Sequence, residues 1–93
     1  MKELKETIEL MQSADYKERF AAEYYQLETR FLKLRDMVIK WDNGTLNFTP
    51  TCPREIYNEQ LDAMGRYLIV LIERARMEDV KLEISVDFKL GNK

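Results

Sequence analysis

The stretch Tyr16-Lys17-Glu18-Arg19-Phe20 sets an aromatic ring beside two cations. That combination suits a nucleotide, because a ring stacks on a base while Lys and Arg hold phosphate. Tyr24 and Tyr25 follow one turn later, and more basic residues follow them: Arg30, Lys33, Arg35 and Lys40, then Arg66, Arg74 and Arg76. Phe20 and Tyr24 also fall on a helical apolar seam, so they read as core side chains first. Tyr16 falls outside that seam and is the better ligand candidate.

Catalytic chemistry is poorly supplied. The chain has no His, which removes the commonest general base and metal ligand. Its one Cys, Cys52, can form neither an internal disulfide nor a zinc site. A thiol at a helix N-terminus is activated, but with no His to partner it Cys52 reads as an ordinary half-buried residue. The carboxylate pairs Glu55/Glu59 and Glu78/Asp79 read as solvated helix faces and ends, not as a facing pair in a cleft. No catalytic residue, metal or cofactor is expected, and the chain is read as a non-enzyme.

The elements that must position these residues are helices. A length of 93 residues leaves room for one domain, and a 45% hydrophobic composition excludes disorder. A net charge of −2 argues against a general DNA-binding surface. The longest apolar run, 67–72, is far short of the roughly 18 residues of a membrane span. With no signal-peptide core at the start, a soluble intracellular protein is expected.

Leu4, Ile8 and Met11 predict a short amphipathic helix over 1–12. Asp15 and Glu18 have capping-box spacing, with Ser13 an equally good cap. Phe20, Tyr24, Leu27, Phe31, Leu34, Val38 and Trp41 repeat at 4,3 spacing and predict a long helix over 14–43, stopped by Asn43-Gly44. A loop over 44–52 leads to a second long helix over 53–79, whose seam is Tyr57, Leu61, Met64, Leu68, Leu71 and Ala75. Pro53 fits its first turn, and Gly65 inside it either permits a close crossing or is simply tolerated. Leu82, Ile84, Val86, Phe88 and Leu90 alternate with polar residues, so 81–90 reads as a strand-like tail without an obvious mate. The fold class is mainly all-α: a short helix, a long antiparallel helical hairpin and a β-like tail.

Each long helix carries a second apolar stripe: Ala21, Tyr25, Leu32 and Ile39 on one, and Ala63, Tyr67, Val70 and Met77 on the other. A hairpin buries one stripe per helix. The remainder predicts an interface, and a homo-oligomer is the expected assembly.

The blocks 13–24 (Ser-Ala-Asp-Tyr-Lys-Glu-Arg-Phe-Ala-Ala-Glu-Tyr) and 44–53 (Gly-Thr-Leu-Asn-Phe-Thr-Pro-Thr-Cys-Pro), with the stretch 67–75, resemble the crAss-phage-related family of small phage and prophage proteins. The resemblance covers about residues 10–80 and implies a phage origin, hence the host bacterial cytoplasm. The architecture also resembles the anti-CBASS and Thoeris anti-defence sponges of phages. Those proteins form oligomers, hexamers among them, and sequester cyclic nucleotides or cyclic ADP-ribose isomers at subunit interfaces without cleavage. That resemblance implies a ligand site in which Tyr16 stacks on a base and Lys17 and Arg19 hold phosphate, joined by Thr49, Thr51 and Arg54 from the loop. From the net charge and the lack of a long apolar run, no DNA partner and no membrane partner are expected. The runner-up reading is a protein-interaction module that inhibits a host protein through its exposed helical face.

Overall fold

The computed structural model describes residues 2–86. A 3-10 turn, Leu4–Thr7, runs into the short helix α1, Ile8–Met11; two long helices follow, α2 (Tyr16–Asp42) and α3 (Arg54–Glu78). The long helices expected over 14–43 and 53–79 are α2 and α3. The fold is all-α among the described residues.

The ends of the long helices follow local chemistry. Asp15 is extended (φ −83°, ψ 118°) and its carboxylate accepts the Lys17 backbone N–H at 2.9 Å, which caps α2. At the other end Gly44 turns left-handed at φ +75°. There the Gly44 N–H donates to the Trp41 carbonyl at 3.0 Å and the Thr45 N–H to the Lys40 carbonyl at 2.9 Å, satisfying two terminal carbonyls. Pro53 is the capping residue before α3 rather than the first residue of its first turn. Asp79 ends α3 at φ +60°, a non-glycine in the left-handed region, while the Val80 N–H donates to the Ala75 carbonyl at 2.8 Å.

The core is the seam between α2 and α3. Phe20, Tyr24, Phe31 and Val38 are buried against Leu68, Leu71 and Ala75, with Leu27, Leu61 and Met64 partly buried beside them. Gly65 is buried too. The first segment departs from expectation. Ile8 and Met11 are about half exposed, while Thr7 and Leu10 turn inward. The 3-10 turn advances three residues per turn, which shifts the phase away from 3.6-residue periodicity. Thr7 can be buried because its hydroxyl is satisfied: it donates to the Leu4 carbonyl at 2.7 Å and accepts from the Gln26 amide at 2.9 Å.

The tail is not a strand over 81–86; the expected residues 87–90 lie outside the described ones. Val80 and Val86 pack into the core and Leu82 packs against it. Instead of a neighbouring strand, the tail's N–H groups find side chains of α2. The Glu83 N–H donates to the Tyr25 hydroxyl at 2.9 Å. The Ser85 and Val86 N–H groups donate to Glu28 Oε2 at 2.7 and 3.3 Å. Glu28 is fully buried and its Oε2 also accepts from the Tyr24 hydroxyl at 2.8 Å. Burial and that carboxylate together push the Tyr24 phenol well above its ordinary pKa. Glu28 thus does the work a partner strand would have done.

Removing that acceptor leaves two tail amides and a buried hydroxyl unpaired. Glu28→Ala is expected to lower stability by about 1–3 kcal/mol, read by thermal unfolding. Hydrogen exchange at Ser85 and Val86 should accelerate in the same variant, while Glu28→Gln, which keeps one acceptor oxygen, should lose less.

Candidate functional site

Structure places the six expected ligand residues in two groups at opposite ends of the hairpin. Tyr16, Lys17 and Arg19 lie at the start of α2, while Thr49, Thr51 and Arg54 lie beyond its end. A helix of 27 residues at 1.5 Å per residue holds the groups about 40 Å apart in one chain. One chain therefore does not bring them into a common site.

Each group is engaged locally. The Tyr16 hydroxyl donates to Glu78 Oε1 at 2.7 Å and accepts from Arg74 Nη2 at 2.6 Å, while Arg74 Nε donates to Glu78 Oε2 at 2.9 Å. The Arg74 guanidinium also stacks over Phe20, 4.8 Å from the ring centroid. The hydrogen bond to Glu78, with some desolvation, raises the Tyr16 phenol above its ordinary pKa. The Arg74 hydrogen bond first, then that of Tyr16, holds the Glu78 carboxyl below its ordinary range. Glu78 occupies the position an incoming phosphate would take, between a hydroxyl and a guanidinium fork. Nearby, Lys17 donates to the Asp79 carbonyl at 3.0 Å and so closes the end of α3. Arg19 donates to the Ser13 carbonyl at 2.8 Å and braces the turn before α2, a structural position.

At the far end Arg54 makes a two-point pair with Asp42, Nε to Oδ1 at 3.0 Å and Nη2 to Oδ2 at 2.9 Å. Its Nη1 donates to Asn58 at 2.6 Å, and its guanidinium lies 5.8 Å from the Trp41 ring centroid. That pairing holds the Asp42 carboxyl below its ordinary range. Arg54 ties α2 to α3 and has little left for a ligand. Thr49 and Thr51 are exposed, and so is Cys52, which is not the half-buried residue expected.

Cationic recesses do form, partly from residues the sequence did not single out. A cleft of about 340 Å³ opens between the first segment, α2 and the tail. Lys2, Lys17 and Lys81 line it, with Leu10, Ala21, Tyr25 and Val80 as an apolar floor, and Glu18 and Glu83 at its sides. Lys2 Nζ lies 5.0 Å from the Tyr25 ring centroid and 3.8 Å from a Glu83 oxygen. The size falls in the small-molecule range. Lys2 and Lys81 stand 79 positions apart, so no local motif could have joined them. A second recess, about 350 Å³, lies under the loop, where Lys33 and Lys40 meet Asn47 and the exposed ring of Phe48. Lys40 there is paired with Asp36 at 3.3 Å. Among the described residues, no group of three or more acidic or Cys side chains is placed to hold a metal. Among the described residues no helix is long and apolar enough to cross a membrane.

The structure is a helical hairpin with small cationic recesses between its ends and its flanking segments. The comparison with known families gives the finer placement: the model of the Sequestin family matches residues 14–77, and the chain belongs to that family. Its name denotes sequestration. No curated protein and no solved structure matches the chain significantly. The matched span holds α2, the loop and nearly all of α3; it includes Lys17 and Tyr25 but neither Lys2 nor Lys81.

Two clamps, Tyr16–Arg74–Glu78 and Arg54–Asp42, make stability depend on acid. Both carboxyls titrate lower in the folded chain than their ordinary values of 4.5 and 3.8, so the stability they add is present above those values and lost as pH falls through the lowered ones. The unfolding midpoint should fall between about pH 5 and about pH 3, and the fall should shrink in a Glu78→Gln, Asp42→Asn double variant. An unchanged pH profile in that variant would remove both clamps from the account.

Proposed function

We propose that the protein sequesters an anionic nucleotide signal, of the cyclic nucleotide or cyclic ADP-ribose type, and holds it without cleaving it. The observation that carries this reading is the cleft lined by three lysines from three separate segments, with Lys2 over the Tyr25 ring. The chain's net charge is −2, so general surface charge does not account for that cluster. Three ammonium groups against two carboxylates leave the cleft attractive to phosphate, and the Tyr25 ring beside Leu10 and Val80 offers an apolar wall for a base or ribose. Membership of the Sequestin family supports sequestration as the mode of action. The chain acts as a binder rather than an enzyme, because binding in a small cationic recess needs no nucleophile and no base. In this reading it acts in an infected bacterial cytoplasm and counters a nucleotide-based defence, which the phage resemblance of its sequence supports.

Of the residues expected from sequence, Lys17 lines the cleft, while Tyr16 is held by Glu78 and Arg74. Arg19 and Arg54 are assigned to structure. Titration calorimetry with cyclic di- and trinucleotides and cyclic ADP-ribose isomers tests the reading. Tight binding is expected, with the ligand recovered intact after heat release. Lys17→Ala and Lys81→Ala should each weaken binding about tenfold or more, the loss of one charge-assisted contact, without changing the helical content. Binding of none of these compounds overturns the proposal, and recovery of cleaved ligand replaces the sponge with an enzyme.

A further inference from the structure

Four of the chain's arginines have partners within it: Arg19, Arg54, Arg74 and Arg76 each donate to an oxygen of the chain. Among the described residues, the guanidinium groups of Arg30, Arg35 and Arg66 make no ion pair and no hydrogen bond. Two of those three meet at one place. Arg35 from α2 and Arg66 from α3 line a groove of about 340 Å³ along the seam of the hairpin. Phe31 and Gly65, both buried, form its floor with the half-buried Ile69. Asp62 lines it as well, one turn before Arg66, yet the two are not ion-paired.

Arg35 is held where it can donate. Its guanidinium lies over the Phe31 ring, 5.7 Å from the centroid. Attraction to a ring face uses none of the N–H donors of the fork, so all remain for a ligand. Arg66 stands on the other helix, so the two forks come from opposite walls. Two guanidinium groups against one carboxylate leave the groove cationic in a chain of net charge −2. Glycine weakens a helix interior, and Gly65 here keeps the floor free of a side chain. The volume is in the small-molecule range.

We infer that this groove binds a phosphate monoester with an aromatic body. A terminal phosphate offers three free oxygens and close to two negative charges. It can therefore accept from a fork on each wall at once. A phosphate diester has fewer free oxygens and a lower charge, and a carboxylate is matched by a single fork. Phe31 and Ile69 supply apolar contact for the body, and Asp62 accepts from a hydroxyl or N–H group on it. The groove is separate from the lysine cleft, since no residue lines both. Every residue lining it falls within the span that the family model matches, whereas Lys2 and Lys81 do not. It stands whether or not the cleft binds a cyclic nucleotide.

Phenyl phosphate is the probe, titrated into the isotope-labelled full chain well above its second pKa of about 6 and followed by nuclear magnetic resonance. It should shift the Gly65 amide and the Nε–H signals of Arg35 and Arg66. Arg35→Gln and Arg66→Gln should each weaken binding about tenfold, the loss of one charge-assisted contact. Both positions are exposed, so circular dichroism should not change. Inorganic phosphate, which lacks the body, and methyl phenyl phosphate, a diester, should each bind more weakly than phenyl phosphate. Arg30→Gln removes an exposed cation that does not line the groove and should leave binding as it is. No shift at Gly65, full binding by either groove variant, or an equal loss in Arg30→Gln overturns the inference. Shifts at Tyr25 and Val80 in place of Gly65 put the phosphate in the lysine cleft and overturn it as well. Equal binding of the diester overturns the choice of a terminal phosphate.

Discussion

The packing of Phe20, Tyr24, Phe31 and Val38 against Leu68, Leu71 and Ala75 holds two helices of about 40 Å side by side. Ordering so many residues is costly in chain entropy, and in a protein this small few other apolar contacts can offset it. Leu68 and Leu71 are almost wholly buried, and each contributes about 1.5–3 kcal/mol from burial. Because the seam is linear, the hairpin is long and thin, and its polar features gather at the two ends and along the open faces. Arg54–Asp42 closes one end and Tyr16–Arg74–Glu78 the other. These exposed pairs add little stability of their own, yet they fix the helix ends relative to each other.

α2 is the helix on which the rest is assembled. One side faces α3. Another receives the first segment, through Thr7 on Gln26 and Thr29 on the Lys2 carbonyl. A third receives the tail, through Tyr25 and Glu28. A buried carboxylate without partners is very unfavourable. Glu28 is tolerated because one oxygen collects two backbone N–H groups and a phenol. The same three docking events bring Lys2, Lys17 and Lys81 to one cleft. The recess is therefore a by-product of how the two flanking segments are held, and anything that loosens the tail also dismantles it.

Most of the cations that suggested nucleotide chemistry have structural partners. Arg74 is divided among Glu78, Tyr16 and the Phe20 ring, Arg54 between Asp42 and Asn58, and Arg19 is on a backbone carbonyl. An Arg fork is as well suited to a carboxylate as to a phosphate, so residue type alone does not separate a clamp from a binding site. Lysines at the ends of the chain carry the reading instead. The name of the Sequestin family points to sequestration, and the chemistry of the cleft motivates the class of ligand proposed for it.

The sequence by itself determined the hairpin. A 4,3 apolar repeat, Asp15 before it and Gly44 after it each act on neighbours within a few residues, and local geometry follows from local chemistry. It also showed a second stripe on each long helix. Tertiary structure decided which stripe is covered: Tyr25 lies under the tail, and Val70 does not. It likewise turned Thr7 rather than Ile8 inward, made Glu28 the acceptor for a tail that reads as a strand, and assigned Arg54 to Asp42. These outcomes share one cause. A period records which face of an element is apolar, but the partner of a polar side chain is set by residues up to about 60 positions away, and only the folded chain brings them within hydrogen-bonding distance.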